Sequence, residues 1–114
     1  MSERLISSSG GEVAKTLKWA RSPLARMRGL IRQPELGPGC ALVLTPASQV
    51  HTFFLRSPLD VALCDADLRV LWVRPSMPPN RLSAWRPKAR YAIEMRGGSM
   101  PDWVEPDVQL LVVE

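Results

Sequence analysis

The sequence predicts a mainly β domain of the α+β class, a small distorted antiparallel β-barrel or sandwich with one helix packed across it. Short apolar or alternating runs recur along the chain, each bounded by Gly, Pro, Asp or Ser. One segment, residues 23–33, carries a helical pattern instead. A length of 114 residues, with 46% hydrophobic and 23% charged content, makes residues 1–114 one ordinary globular domain. Such a domain buries roughly two-thirds of the surface that its unfolded chain exposes, so about seven or eight strands need no metal or disulfide staple.

Residues 1–11 contain Ser7-Ser8-Ser9-Gly10-Gly11, a polar run that predicts a flexible arm. The arm has no apolar signal region, which predicts a cytoplasmic protein as the sequence stands. Val13, Leu17 and Trp19 share a parity, so residues 12–19 read as one strand. Ser22-Pro23 is a helix start, with a capping hydroxyl before a first-turn proline, and Pro34 is the stop. On that helix Leu24, Met27, Leu30 and Ile31 form the apolar face, with Arg28 at its margin. Residues 40–44 read as a buried strand. Residues 59–64 and 69–74 read as a hairpin turning at 65–68, and 91–95 and 108–113 as the last strands. Glu94 falls opposite to Tyr91, Ile93 and Met95.

The most informative stretch is residues 50–61, which holds the only histidine, both phenylalanines, Arg56 and Asp60 in an apolar setting. It predicts a strand buried on both sides and broken at Ser57-Pro58. Parity sets Val50, Thr52, Phe54 and Arg56 against Gln49, His51, Phe53 and Leu55. Polar groups in a buried strand are costly without partners, so this stretch is the place to look for a site. The 75–87 segment, with four prolines and Trp85, predicts a loop that covers or binds.

Charge narrows the function classes. The net charge is +4, with twelve Arg against three Lys, a balance that suits bidentate contacts to carboxylate or phosphate. Six cations and no acid lie between Glu12 and Glu35, and six more between Asp67 and Glu94. The chain after Pro101 is acidic, and pairing it with one basic stretch leaves the other as a positive patch. No apolar run is long enough to insert in a membrane. A single histidine excludes a multi-histidine metal site, no G-x-S-x-G elbow is present, and Cys40 and Cys64 read as free thiols. No metal or other cofactor is expected.

Arg28-Gly29-Leu30, His51-Thr52-Phe53-Phe54 before Pro58-Leu59-Asp60-Val61, and Tyr91-Ala92-Ile93-Glu94 before Gly97 together resemble the family called domain of unknown function 192. The likeness runs from about Trp19 to Val112. Leu55 stands where that family has Met, Ser57 where it has Asn, Thr or Phe, and Leu68 and Pro106 where it has Gly. The resemblance implies a small, mainly β fold with one helix and no established activity. Some relatives carry secretion signals, so periplasmic members exist. Relatives with the His-Thr-Phe-Phe version are often encoded near pilus-assembly or secretion genes.

Three functional readings follow. The first is a non-enzymatic binding or interaction module for a protein or an anionic small ligand, in an envelope, pilus-assembly or secretion setting that the resemblance implies. Its candidate site is His51, Thr52, Phe54, Arg56, Asp60, Trp85, Glu94 and Arg28, around a concave surface between residues 51–56, Asp60 and the 75–87 loop. The second is a small-substrate enzyme using His51, Asp60 and Glu94. The third is weak nucleic-acid binding through the basic stretches. Arg28 and Glu94 are further expected to pair between helix and sheet.

Overall fold

A computed structural model describes residues 3–22, 36–53 and 55–114. Among these residues eight strands form two sheets: β1 (Arg4–Ser7), β2 (Glu12–Ala14), β3 (Thr16–Ala20), β4 (Cys40–Leu44), β5 (Leu59–Cys64), β6 (Val70–Met77), β7 (Tyr91–Arg96) and β8 (Leu110–Val113). The small sheet has the order β2-β1-β8 and the large one β3-β4-β7-β5-β6. The mainly β class is as expected. The predicted helix 23–33, with Arg28, lies outside the described residues.

No closed barrel forms among the described residues. The two sheets meet face to face across one apolar cluster. Leu5, Val13, Ala14 and Leu110 come from the small sheet, and Val43, Ala62, Ile93 and Met95 from the large one. A second cluster covers the other face of the large sheet, with Leu42, Leu44, Val61, Leu63 and Ala92 at its centre. At one side the sheets are stitched by the Arg69–Gln109 bridge and by Val70 N–H donating to Val108 O.

Several elements depart from the sequence expectation. Residues 4–7 are no flexible arm: β1 is the middle strand of its sheet, because Leu5 and Ser7 face inward while Ser8-Ser9-Gly10 makes the turn. The single strand expected over 12–19 breaks at Lys15, so that β2 joins one sheet and β3 the other. β3 also pairs with β4 in parallel, Thr16 opposite Cys40 through Ala20 opposite Leu44. A parallel pair needs a crossover, and the flanking Ala20 and Leu36 both bury in the second cluster. The sheet is therefore mixed and not purely antiparallel.

The hairpin β5–β6 forms as expected. Asp65 organises its turn, its Oδ1 accepting from the N–H groups of Asp67 and Arg69. Leu68 takes a φ of +64° there, a left-handed conformation that costs a non-glycine residue of order 1 kcal/mol or more. β6 runs on to Met77, into the segment read as loop, after a bulge. Leu59 pairs with Met77 and Val61 with Arg74, so Asp60 faces two residues, Pro75 and Ser76.

Candidate functional site

Residues 50–56 do not form the doubly buried strand that the sequence predicts. Residues 48–52 instead make an irregular antiparallel ribbon with 80–86. Thr52 N–H donates to Arg81 O, Ser83 N–H to Val50 O and Arg86 N–H to Ser48 O, and His51 bridges Leu82. Half of the 75–87 loop is thereby given a ladder of its own. Val50, Thr52 and Ser83 face inward and are buried. The predicted parity holds as far as Phe53 and then reverses, since Leu55 is buried and Arg56 exposed. A one-residue change of phase moves a side chain to the other face, which is why a site containing both Thr52 and Arg56 does not form. Phe54 lies outside the described residues.

Thr52 is the pin of the ribbon. It has no accessible surface; its Oγ1 donates to Pro78 O at 2.6 Å and accepts from Arg81 N–H at 2.9 Å. Thr52→Val keeps the shape and leaves both backbone partners unpaired. Each such loss costs about 1–3 kcal/mol, so the variant is expected to lose roughly 2–4 kcal/mol in urea unfolding. An unchanged midpoint would show that the ribbon is held by its ladder alone.

The outward face carries the apolar surface. His51 stacks on Phe53 with ring centroids 5.0 Å apart, and its Nδ1 accepts from Phe53 N–H at 3.2 Å, so the neutral ring carries its proton on Nε2. Leu82, opposite His51, is 57% exposed; Trp85, further along the same arm, is 63% exposed, and Phe53 37%. Burying a side chain of this size is worth roughly 1.5–3 kcal/mol, and three of them on one ribbon forgo that gain. Arg56, Arg81, Arg86, Lys88 and Arg90 are exposed on the same two segments. The segments 36–59 and 68–93 contain no acid. The ion pair found among the described residues, Arg4–Glu12, lies elsewhere.

Asp60 and Glu94 do not belong to this surface. Asp60 pairs with Met95 and Glu94 with Val61 across β5 and β7, so the two carboxylates project from opposite faces of the sheet. Asp60 is buried, with Oδ1 accepting from Ser76 N–H at 2.7 Å and Oδ2 from Met100 N–H at 2.8 Å. It borders a small, mostly apolar cavity of about 130 Å³ with Val73, Pro75, Met100 and Val104. Asp60 therefore does not border the surface expected between residues 51–56 and the 75–87 loop: it turns inward to cap the β6 bulge. Glu94 is fully buried, and neither carboxylate oxygen has a hydrogen-bond partner among the described residues. Burial pushes it up to about 8. Its expected partner, Arg28, is outside the described residues.

Cys40 and Cys64 are free thiols, as expected, and burial, with Asp65 nearby, pushes the Cys64 thiol up to about 12. Such a thiol is a poor nucleophile. No group of three or more His, Cys, Asp and Glu gathers among the described residues. No helix among them is long and apolar enough to cross a membrane. Of the candidate residues, then, His51, Thr52 and Trp85 come together on the ribbon. Phe53 and Leu82 were missed, although His51 and Phe53 share a strand face. Leu82 had no local signal, because only its pairing with His51 turns it outward.

The family model DUF192, described as "Uncharacterized ACR", matches residues 5–107. No curated protein matches the chain. Among solved structures, a protein of unknown function from Novosphingobium aromaticivorans is similar with a TM-score of 0.79 and 19% identity, over 97% of this chain and 84% of that one. A Sinorhizobium meliloti protein, provisionally described as a transcription regulator, has a TM-score of 0.78 and 20% identity, over 96% and 91%. A hypothetical protein from Synechocystis has a TM-score of 0.60 and 19% identity, over 98% of this chain and 18% of its own. At these identities the likeness is one of fold.

Proposed function

We propose, from the premise that this chain belongs to the DUF192 family, that it is a binding module which docks an acidic segment of a partner protein on its exposed ribbon. One observation carries this reading: Phe53, Leu82 and Trp85 stand exposed on a hydrogen-bonded ribbon whose own charged residues are all cations. Interface anchors are typically Trp and other aromatics beside Arg, on surfaces that need little reordering. Thr52 supplies the second condition, since it holds the ribbon rigid before any partner arrives. The cations select for an acidic partner and quicken its approach. The catalytic alternative lacks this support, because Asp60 and Glu94 occupy opposite faces of the sheet. An envelope, pilus-assembly or secretion component is the partner that the resemblance implies.

The test is capture of partners by the full chain and by two variants, Leu82→Ser/Trp85→Ala and Arg81→Glu/Arg86→Glu. Loss of two anchors is expected to weaken a captured protein by about thirtyfold or more, with an unchanged melting temperature. The charge reversal should slow association and flatten its salt dependence. Capture indifferent to both variants would overturn the reading. So would a specific nucleic acid as the captured species, with an affinity that falls steeply with salt.

A further inference from the structure

We propose a second, separate ligand site: an open cleft beside the β1–β2 turn that takes a neutral saccharide of one or two rings. The cleft measures about 650 Å³ and is lined by Ser8, Ser9, Arg69, Trp103, Asp107 and Gln109 among others. Ligand sites typically span roughly 300–1,000 Å³. None of these residues lies on the ribbon that carries the first site.

Trp103 gives the cleft an apolar platform. It is 40% exposed, and the edge of its indole lies close against Gly11. A Cβ added to Gly11 would lie 2.9 Å from Trp103 Cζ2, so only glycine lets the ring approach so closely. Gly11 is fixed in turn, its N–H donating to Ser7 Oγ at 3.0 Å and its carbonyl accepting from Ser7 N–H at 2.7 Å. A flat, positioned indole suits the C–H face of a sugar ring, which is apolar while the ring's edge is polar.

The polar groups around it offer both hydrogen-bond signs. One Arg69 N–H donates to Asp107 O at 2.9 Å, and a guanidinium has five donors, so most remain for a ligand. The Gln109 amide nitrogen donates to the carbonyls of Asp67 and Leu110, leaving its Oε1 as an acceptor. The Asp107 carboxylate accepts no hydrogen bond from the described residues, and its backbone is held at φ +77° by donation to Val70 O at 2.8 Å. Hydroxyls of Ser8 and Ser9 complete the rim. Arg69 and Asp107 balance in charge, which favours a neutral ligand over an anion. Hydroxyl groups, each a donor and an acceptor, match such a mixed rim, whereas an apolar or singly charged ligand leaves half of it unpaired.

Titration of the ¹⁵N-labelled full chain with cellobiose and with N,N′-diacetylchitobiose, following the indole N–H resonances and the backbone amides of Ser9, Gly11 and Gln109, tests this, the amides serving where Trp103 is replaced. One of the two should shift the Trp103 indole saturably, and sodium gluconate should not. Trp103→Ala should abolish binding, Trp103→Phe should retain part of it, and Arg69→Met should weaken it roughly tenfold. Gly11→Ala should weaken it as well, by displacing the indole. No saturable shift with either disaccharide would overturn the proposal. So would an affinity unchanged in Trp103→Ala or Trp103→Phe, or binding of gluconate alone.

Discussion

Raising the pH from about 4.5 to about 8 is expected to destabilise the folded domain through one residue, Glu94. Its side chain lies on the face of the large sheet occupied by Leu42 and Val61, its direct neighbours on β4 and β7's other partner β5. Both carboxylate oxygens are buried without a hydrogen-bond partner among the described residues, and burial lifts the group from 4.5 to about 8. Because the folded value lies above the unfolded one, folding favours the protonated acid. Its contribution is fully present below about pH 4.5, declines as the pH rises, and is lost above about 8. At about 1.4 kcal/mol for each pH unit of separation, the loss reaches roughly 3–5 kcal/mol. Glu94→Gln removes the charge without changing the shape. The difference in unfolding free energy between the two proteins should therefore open across this pH range in favour of the variant. The opposite result, a variant less stable at neutral pH and a flat or rising difference, would mean that the carboxylate is ionised and paired. Arg28 is the expected counter-ion in that case, and Arg28→Ala should then cost about as much as Glu94→Gln, roughly 3–5 kcal/mol.

Asp60→Ala is expected to cost the fold about 3–5 kcal/mol. The bulge opposite Asp60 puts Pro75, which has no N–H, and Ser76 against a single β5 residue. Ser76 also takes a φ of +46°, so its N–H is turned out of the regular ladder. The Asp60 carboxylate accepts that N–H with one oxygen and Met100 N–H with the other, tying the end of β6 to the turn after β7. Hydrogen bonds to a charged group are worth about 1.5–3 kcal/mol each, and both donors lose that partner in the variant. Asp60→Asn should recover little, because its amide can accept one N–H while its NH₂ meets the other donor head on. Urea unfolding at constant slope measures both. A loss below about 1 kcal/mol in Asp60→Ala would mean that water replaces the carboxylate in the adjoining cavity. Neither change should affect partner capture by the ribbon, since Asp60 faces the opposite layer.

What could be read from the sequence alone was what neighbouring residues settle between themselves. Apolar runs located β4, β5 and β7, and Asp65 with its turn located the β5–β6 hairpin, because period and turn chemistry act over a few residues. The grouping of Thr52 with Val50 and the opposition of Glu94 to Tyr91 and Ile93 followed from strand parity. Membership of an uncharacterised family was legible too, from motifs whose order survives at low identity. Tertiary structure decided what depends on distant pairing. The polar run at 7–11 suggested an arm, yet β8, over a hundred residues later, makes residues 4–7 the centre of a sheet. That β3 and β4 pair side by side in parallel, although β4 pairs antiparallel with β7, was decided by tertiary structure. The ribbon owes its ladder to residues 80–86, and its phase change after Phe53 turns Arg56 away from Thr52. Asp60 and Glu94 look alike in sequence, as acids set in apolar strands. One is satisfied by two backbone N–H groups and the other by none among the described residues, and only the register between β5, β6 and β7 separates them.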